Sequence, residues 1–172
     1  MGPKEALERQ FRFFYRTVRA NLAGLSAEDA LVQPGGGGNC ANWTLGHLVY
    51  VQNAAMRLVR AAPVWENPDL ERVRPRSGPI RSAEEALDWD AMRNALLASE
   101  ERFVEALRAL PQEVLDQEGF TDPTGEAVTR AGLLLFLAGH QLYHSGQLGL
   151  LRRVAGHEGA IRGPAPQPAA AS

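Results

Sequence analysis

Apolar residues recur at intervals of three and four along four long stretches of the chain. This spacing places side chains on one side of an α-helix. In the first stretch the apolar positions are Leu7, Phe11, Phe14, Val18, Leu22 and Leu25. Gly24 is expected to end this helix. Ser26 and Asp29 then have the spacing of a capping box and predict a short helical turn.

The second stretch is apolar on nearly every side, a pattern typical of a buried helix. It is expected to run from about Asn42, a residue type favoured at helix N-caps, to Ala62, just before Pro63. Its apolar positions are Trp43, Leu45, Leu48, Val49, Val51, Ala54, Ala55, Leu58 and Val59.

The third stretch follows Ser82 and Glu85, which also have the spacing of a capping box. Pro111 is expected to end this helix. Its apolar stripe, with one serine, consists of Trp89, Met92, Leu96, Ser99, Phe103, Leu107 and Leu110.

Three connections separate these helices. The glycine run 35–38 predicts a flexible loop, and residues 63–81, with four prolines, predict a long non-helical crossover. Residues 119–129 form a further connection, and no segment alternates strongly enough to predict a strand with confidence. Four helices with buried faces predict an all-α protein, a four-helix bundle with a long crossover between the second and third helices. The bundle is expected to occupy residues 1–160, followed by a Pro/Ala-rich, flexible tail over 161–172.

The fourth helix carries polar residues where its stripe predicts a core. The helix is expected from Thr129, as N-cap, to about Ala155, with Gly156 in the left-handed position that follows a helix. The positions predicted to face the core are Leu133, Leu137, His140, His144, Gln147, Leu151 and Val154. Burying unpartnered polar side chains costs about 1–3 kcal/mol each, so these residues need partners.

Histidines dominate the candidate chemistry. His140 and His144 lie four residues apart, one turn along a helix, where two imidazoles can share one metal ion. His47 is a further polar residue in the apolar second helix, so the three histidines form a candidate metal site. The alternative is a set of core histidines hydrogen-bonded to their neighbours. Residue 141 is glutamine, which excludes the His-Glu-x-x-His zinc protease motif.

Other residues near the histidines are candidates for a pocket or for contacts behind the metal ligands. Gln147 lies one turn after His144, and Tyr143 directly precedes it. Trp43 and Tyr50 flank His47 at helical spacing, although buried aromatics are more often plain core. No catalytic residue is singled out by the sequence, since a metal-bound water or thiol is expected to be the nucleophile. A catalytic role for Cys40 is disfavoured because no histidine partner is local.

Charge and composition exclude several classes. Eighteen Lys and Arg against 20 Asp and Glu give a formal charge of −2, so there is no basic footprint for nucleic acid. The single cysteine excludes an internal disulfide, and no apolar run is long enough to span a membrane. The charged N-terminus does not resemble a signal peptide, and a soluble, cytoplasmic protein is expected. Five arginines could contact an acidic cofactor or form a solvated surface: Arg57, Arg60, Arg72, Arg74 and Arg76.

Two segments carry a resemblance to the DinB/YfiT-like superfamily of metal-dependent proteins. Residues 39–48, NCANWTLGHL, resemble the family's segment that leads to a histidine in the second helix. Residues 139–148, GHQLYHSGQL, resemble the His-x-x-x-His-x-Gly-Gln pattern of its last helix. The resemblance extends from about Leu7 to Gly156. It implies a four-helix bundle with a long crossover and, commonly, a homodimer.

The same resemblance implies a divalent metal, most often zinc or nickel, held by His47, His140 and His144. Characterised relatives include transferases and isomerases that use low-molecular-weight thiols such as bacillithiol, mycothiol or glutathione. The first hypothesis is therefore thiol-dependent transfer or isomerisation of a small-molecule substrate, in detoxification or stress response. Metal-dependent hydrolysis and non-catalytic binding of a small molecule are the alternatives.

Overall fold

A computed structural model describes residues 2–161, and five α-helices form most of it. They are α1 (Pro3–Leu22), α2 (Ala41–Leu58), α3 (Trp89–Ala109), the single turn α4 (Gln112–Leu115) and α5 (Arg130–Val154). A short antiparallel hairpin joins α4 to α5 and consists of β1 (Phe120–Thr121) and β2 (Ala127–Val128). Two 3-10 helices cover Asp29–Leu31 and Pro68–Val73.

The four long helices form the predicted bundle. Helix α1 packs against α3 and α5, while α2 packs against α5 and α3. The predicted stripe of α1 is buried throughout, from Leu7 to Leu25, and Phe11 and Phe103 pack with ring centroids 4.1 Å apart. The all-α bundle is therefore confirmed. Within residues 2–161, no helix has the length and apolarity needed to cross a membrane.

Helix α2 ends earlier than predicted, at Leu58 and not near Ala62. The chain reverses at Arg60, which adopts a left-handed conformation with φ of 60°. The N–H of Ala61 donates to the carbonyl of Met56 at 2.9 Å, the closing hydrogen bond of a Schellman motif. The helix stops because this motif satisfies its last carbonyls, before Pro63 is reached.

Helix α3 begins later than predicted, at Trp89, with Asp88 as its N-cap. The capping-box prediction at Ser82 is wrong, and residues 82–85 form turns. The reason lies in α2, because the Asn42 side chain donates to the Leu87 carbonyl and accepts from its N–H, at 2.9 and 3.0 Å. This pair of hydrogen bonds holds residue 87 in a non-helical conformation. Asn42 therefore acts as a tertiary clamp, and the N-cap of α2 is Cys40.

Other local predictions are confirmed. Ser26 and Asp29 exchange backbone and side-chain hydrogen bonds as a capping box, and Thr129 caps α5. Gly156 has φ of 89° directly after the end of α5. The 63–81 crossover is not wholly irregular, since Pro68–Val73 forms a 3-10 helix against α2. The predicted tail lies, apart from Ile161, outside the described residues.

A buried polar chain links the four long helices. Gln141 on α5 donates to Gln52 on α2, which donates to the Tyr15 hydroxyl on α1, at 2.6 and 2.9 Å. Tyr15 is bonded in turn to Ser99 on α3 at 2.8 Å. All four side chains are fully buried. Such a chain fixes how the helices are placed relative to one another, because each misplacement would leave a buried polar group without a partner.

A candidate metal centre between two helices

The three predicted histidines come together between α2 and α5. The Nε2 atoms of His47 and His140 lie 3.1 Å apart. Each of the three side chains offers one ligand atom, and all of these atoms lie within 4.8 Å of one another. Two nitrogens that share a tetrahedral metal at usual bond lengths lie about 3.3 Å apart, so this cluster has the size of a metal site.

Gly46 lets the crossover approach His47. A Cβ atom at residue 46 would lie 3.2 Å from Val73 Cγ2 and 3.3 Å from the sulfur of Met92. With no side chain there, the 3-10 helix Pro68–Val73 comes close to α2. The carbonyl of Val73 consequently lies 2.7 Å from His47 Nδ1.

Each of two imidazoles is oriented by an acceptor on its Nδ1 side. His47 Nδ1 donates to the Val73 carbonyl, and His144 Nδ1 donates to Gln147 Oε1 at 2.7 Å. These hydrogen bonds place the proton on Nδ1 and leave the Nε2 lone pair free to bind a metal. Histidines that bind a metal typically donate their other ring N–H to an acceptor in this way, so the donor set fits a divalent metal ion.

Burial keeps the three imidazoles neutral. Desolvation lowers the pKa of His47, and the hydrogen bond to Val73 partly offsets this effect. For His140, burial and then the proximity of His47 lower the pKa. Burial lowers the pKa of His144 to about 4, against the opposing effect of Gln147. Neutral imidazole is the metal-binding form, so protons compete weakly with a metal at neutral pH.

Aromatic rings surround the cluster. The indole of Trp43 stacks on His47 with centroids 4.9 Å apart, and Tyr50 lies parallel to the same imidazole at 6.4 Å. Tyr143 contacts His144 edge-on at 5.1 Å and is 65% exposed. Phe136 stacks on His140 at 6.1 Å. Because His140 is only half-buried and Tyr143 is exposed, the cluster is accessible from this side.

The buried face of α5 is rotated slightly about the helix axis from the face that the sequence predicted. The centre of the buried face consists of Leu134, Ala138, Gln141, Ser145 and Leu148. The predicted histidines and Gln147 lie at its edge, beside α2. At the two ends of the stripe, Leu133 is only half-buried and Val154 is exposed, contrary to the prediction.

Sequence reasoning missed three contributors to the site. The Val73 carbonyl and the Ser77 hydroxyl, which accepts from the Trp43 indole at 3.1 Å, belong to the crossover. A backbone carbonyl leaves no signal in a sequence. Phe136 could have been found, because it lies one turn before His140. Cys40 is buried, with its sulfur 3.6 Å from the Ile80 carbonyl, and is not part of the cluster.

The fold and the histidines together define a helical-bundle protein with a candidate three-histidine metal centre. The chain belongs to the DinB superfamily, whose family model matches residues 10–148. It also resembles a solved structure, YfiT from Bacillus subtilis, described as a probable metal-dependent hydrolase with an unusual four-helix bundle topology. The TM-score is 0.63 at 18% identity, over 90% of this chain and 89% of that one. No curated protein matches the chain in sequence.

Proposed function

We propose that this protein is an enzyme that transfers a low-molecular-weight thiol to an electrophilic small molecule at the centre formed by His47, His140 and His144. The observation that carries the proposal is the convergence of three imidazoles in a group of candidate ligands that, within residues 2–161, contains no carboxylate. A divalent zinc or nickel ion bound there would supply Lewis-acid stabilisation of an anionic nucleophile.

The charge of the donor set favours an anionic ligand. Three neutral histidines leave the positive charge of a divalent ion uncompensated. A divalent ion favours the ionised form of a bound thiol or a bound water, and a thiol starts from the lower pKa, about 8.5 compared with about 15.7 for bulk water. Sulfur ligands also suit zinc well.

No carboxylate in the described part of the chain is placed as a general base at the three histidines. Within residues 2–161, the group of candidate ligands contains no carboxylate, and no carboxylate hydrogen-bonds to any of the three histidines. Gln141 lies at the position of the zinc protease glutamate, but its side chain is turned into the core toward Gln52. This favours chemistry in which the metal itself ionises the nucleophile, because such a nucleophile needs no general base.

The neighbouring residues have supporting roles in this proposal. Val73 and Gln147 hold two imidazoles with Nε2 toward the cluster. Trp43, which is 5% exposed, excludes water behind His47. Substrate would enter beside Tyr143 and His140, where the centre is exposed. The expected homodimer, cytoplasmic location and role in detoxification or stress response remain predictions.

Hydrolysis is the second candidate, because the structurally similar YfiT is described as a probable metal-dependent hydrolase. The two candidates share the three histidines and differ in the nucleophile, which is water in one and a thiol in the other. In hydrolysis the histidines would retain the same positions. A water ionised by the bound metal would release its proton to solvent, as the thiol would.

Thiol transfer and hydrolysis can be distinguished with two assays on zinc- or nickel-loaded protein. One assay follows thiol addition to 1-chloro-2,4-dinitrobenzene, with glutathione, cysteine and bacillithiol as donors. In this reaction a carbon–sulfur bond forms, chloride leaves with the bonding electrons, and the thiol proton goes to solvent. The other follows 4-nitrophenyl ester hydrolysis without thiol. His157→Ala is the matched control for His144→Ala, since His157 lies outside the cluster.

Thiol transfer that is lost in His144→Ala and retained in His157→Ala supports the proposal. Hydrolysis without thiol, with the same dependence on His144, overturns it in favour of the second candidate. Stoichiometric metal with neither activity overturns both and indicates a non-catalytic binding protein.

A further inference from the structure

A surface cavity of about 900 Å³ lies along the second half of the crossover. Its lining combines both signs of charge with a hydroxyl: Glu71, Arg74, Arg76, Ser77, Glu84 and Glu85. The cavity is separate from the three histidines, and none of them lines it. Three features bear on what the cavity could do: its link to the metal centre, the conformation of Arg76 and the pairing of its charged side chains.

The cavity is connected to the metal centre through Ser77 and Trp43. Ser77 lines the cavity, and its hydroxyl accepts from the Trp43 indole at 3.1 Å. The same indole stacks on His47 with ring centroids 4.9 Å apart. A residue that lines the cavity is thus linked to a candidate metal ligand through one aromatic side chain.

The turn that carries the arginines holds Arg76 in an unusual conformation. The N–H of Ser77 donates to the Arg74 carbonyl at 3.1 Å, with Pro75 between them. Arg76 has φ of 67°. These are the features of a type II β-turn, in which glycine is the favoured residue at the position of Arg76. Non-glycine residues in such strained conformations cluster at functional sites in proteins.

The charged side chains around the cavity differ in whether they have an ion-pair or hydrogen-bond partner. Among the described residues, neither Arg74 nor Arg76 has an ion pair or a side-chain hydrogen bond, whereas Arg72 is paired with Asp69 at 3.1 Å. Glu85, which lines the same cavity, accepts from the backbone N–H of Arg81 at 2.8 Å. The cavity thus combines two arginines that have no ion pair among the described residues with a carboxylate that is held by a hydrogen bond.

We propose that this cavity binds the charged end of a small ligand that carries both a carboxylate and an ammonium group. Arg74 and Arg76 would bind the carboxylate, for which a guanidinium is well suited. Glu71, Glu84 and Glu85 would face the ammonium group. Binding in the cavity does not require a metal. That the other end of the ligand carries the reacting thiol rests on the function proposed above.

The test uses S-methylglutathione, whose blocked sulfur cannot bind a metal as thiolate. It is titrated by calorimetry into the full-length, metal-free protein. We expect Arg74→Gln and Arg76→Gly each to weaken binding by about tenfold, as for loss of a charge-assisted hydrogen bond. Arg76→Lys should lose less, because it retains a cation.

Arg60→Gly is the matched control. Arg60 is the other described non-glycine residue with positive φ, and it does not line the cavity. Both glycine variants should raise the melting temperature, because glycine relieves the left-handed conformation. Only Arg76→Gly should weaken binding. Equal affinity in wild type, Arg74→Gln and Arg76→Gly, or no binding by the wild type at millimolar concentrations, would overturn the proposal.

Two further probes test the ligand class. The dimethyl ester of S-methylglutathione lacks its carboxylates, and the N-acetyl derivative lacks its ammonium group. Weaker binding of both supports recognition of a zwitterion, and unchanged binding of either one overturns that part. Because no metal is present in these titrations, they are independent of the transfer assay, and each proposal can fail alone.

Discussion

His47 on α2 and His140 on α5 are 93 residues apart in the sequence, and their Nε2 atoms lie 3.1 Å apart. The hydrogen bond from His47 to the Val73 carbonyl turns one of these nitrogens toward α5. The spacing of His140 and His144 brings a third imidazole to the same place, with ring centroids 4.5 Å apart. A metal at this point would join two helices that also meet through apolar packing, the Gln52–Gln141 hydrogen bond and a hydrogen bond from Arg130 to the Leu58 carbonyl.

Removing one histidine should remove the metal. We expect about one equivalent of zinc or nickel per chain in untagged wild-type protein, and a loss of most of it in His47→Ala, His140→Ala and His144→Ala. Elemental analysis after gel filtration measures this ratio. His157→Ala should retain the metal. Full stoichiometry in His144→Ala would show that the ligand assignment is wrong.

Gln147 should affect the metal through His144. Gln147→Leu removes the acceptor that orients the imidazole, and loss of such a partner lowers metal affinity by about 10- to 100-fold. Gln147→Glu should preserve affinity or increase it, since a carboxylate accepts the same hydrogen bond more strongly. Competition with a chelator gives both affinities. Equal affinity in Gln147→Leu and wild type would exclude this role.

Two buried serines should respond in opposite ways to the same substitution. Ser99→Ala removes hydrogen bonds to Tyr15 and to the Leu96 carbonyl, and we expect a loss of about 1–2 kcal/mol in the free energy of unfolding. The Ser145 hydroxyl is equally buried but has no partner among the described residues. Ser145→Ala should therefore be neutral or stabilising. Urea denaturation of the metal-free proteins measures the difference, and a larger loss in Ser145→Ala would contradict the structure.

Substitution by alanine should be far more destabilising at Gly46 than at an exposed helical glycine. A Cβ at Gly46 would press on Val73 and Met92, so Gly46→Ala should lower the free energy of unfolding by about 1–3 kcal/mol and weaken metal binding. A Cβ at Gly146 on α5 would meet no atom within 4 Å. Gly146→Ala should stabilise the protein by up to about 1 kcal/mol. Equal denaturation curves for the two variants would show that the crossover does not pack closely on α2.

Acid should destabilise the metal-free protein. Burial lowers the pKa of His47, His140 and His144 in the folded state, for His144 to about 4, whereas the unfolded chain takes up protons near the ordinary value of 6.5. Below pH 6.5 the unfolded state therefore binds more protons, and stability decreases as the pH falls toward the folded-state values. The melting temperature between about pH 7.5 and pH 5 should fall less in His144→Leu than in wild type. A wild-type melting temperature that rises on acidification would contradict this.

Local sequence patterns predicted much of the fold. All the residues picked out by the three-and-four spacing in and just after α1 are buried, although Tyr15, Thr17 and Asn21 are buried as well. The predicted ends of α5 at Thr129 and Gly156 are confirmed. These features depend on neighbouring residues along the chain. The helix boundaries that failed, at Leu58 and Trp89, depend on a Schellman motif formed at an arginine and on the Asn42–Leu87 clamp. The clamp joins residues 45 apart in the sequence.

The candidate site, like the fold, was predicted from the sequence only as far as local geometry allows. That His140 and His144 share one side of a helix follows from helical geometry, and the amino-acid types alone suggested metal chemistry. The sequence by itself thus determined the four helices and the residue types of the centre. Only the tertiary structure decided how α5 is rotated, that His47 Nε2 faces His140, and that Val73 and Ser77 of the crossover lie beside the centre. The reason is physical: helical periodicity fixes directions within one helix, whereas distances between helices depend on packing and on buried hydrogen bonds such as that of Gln52 with Gln141.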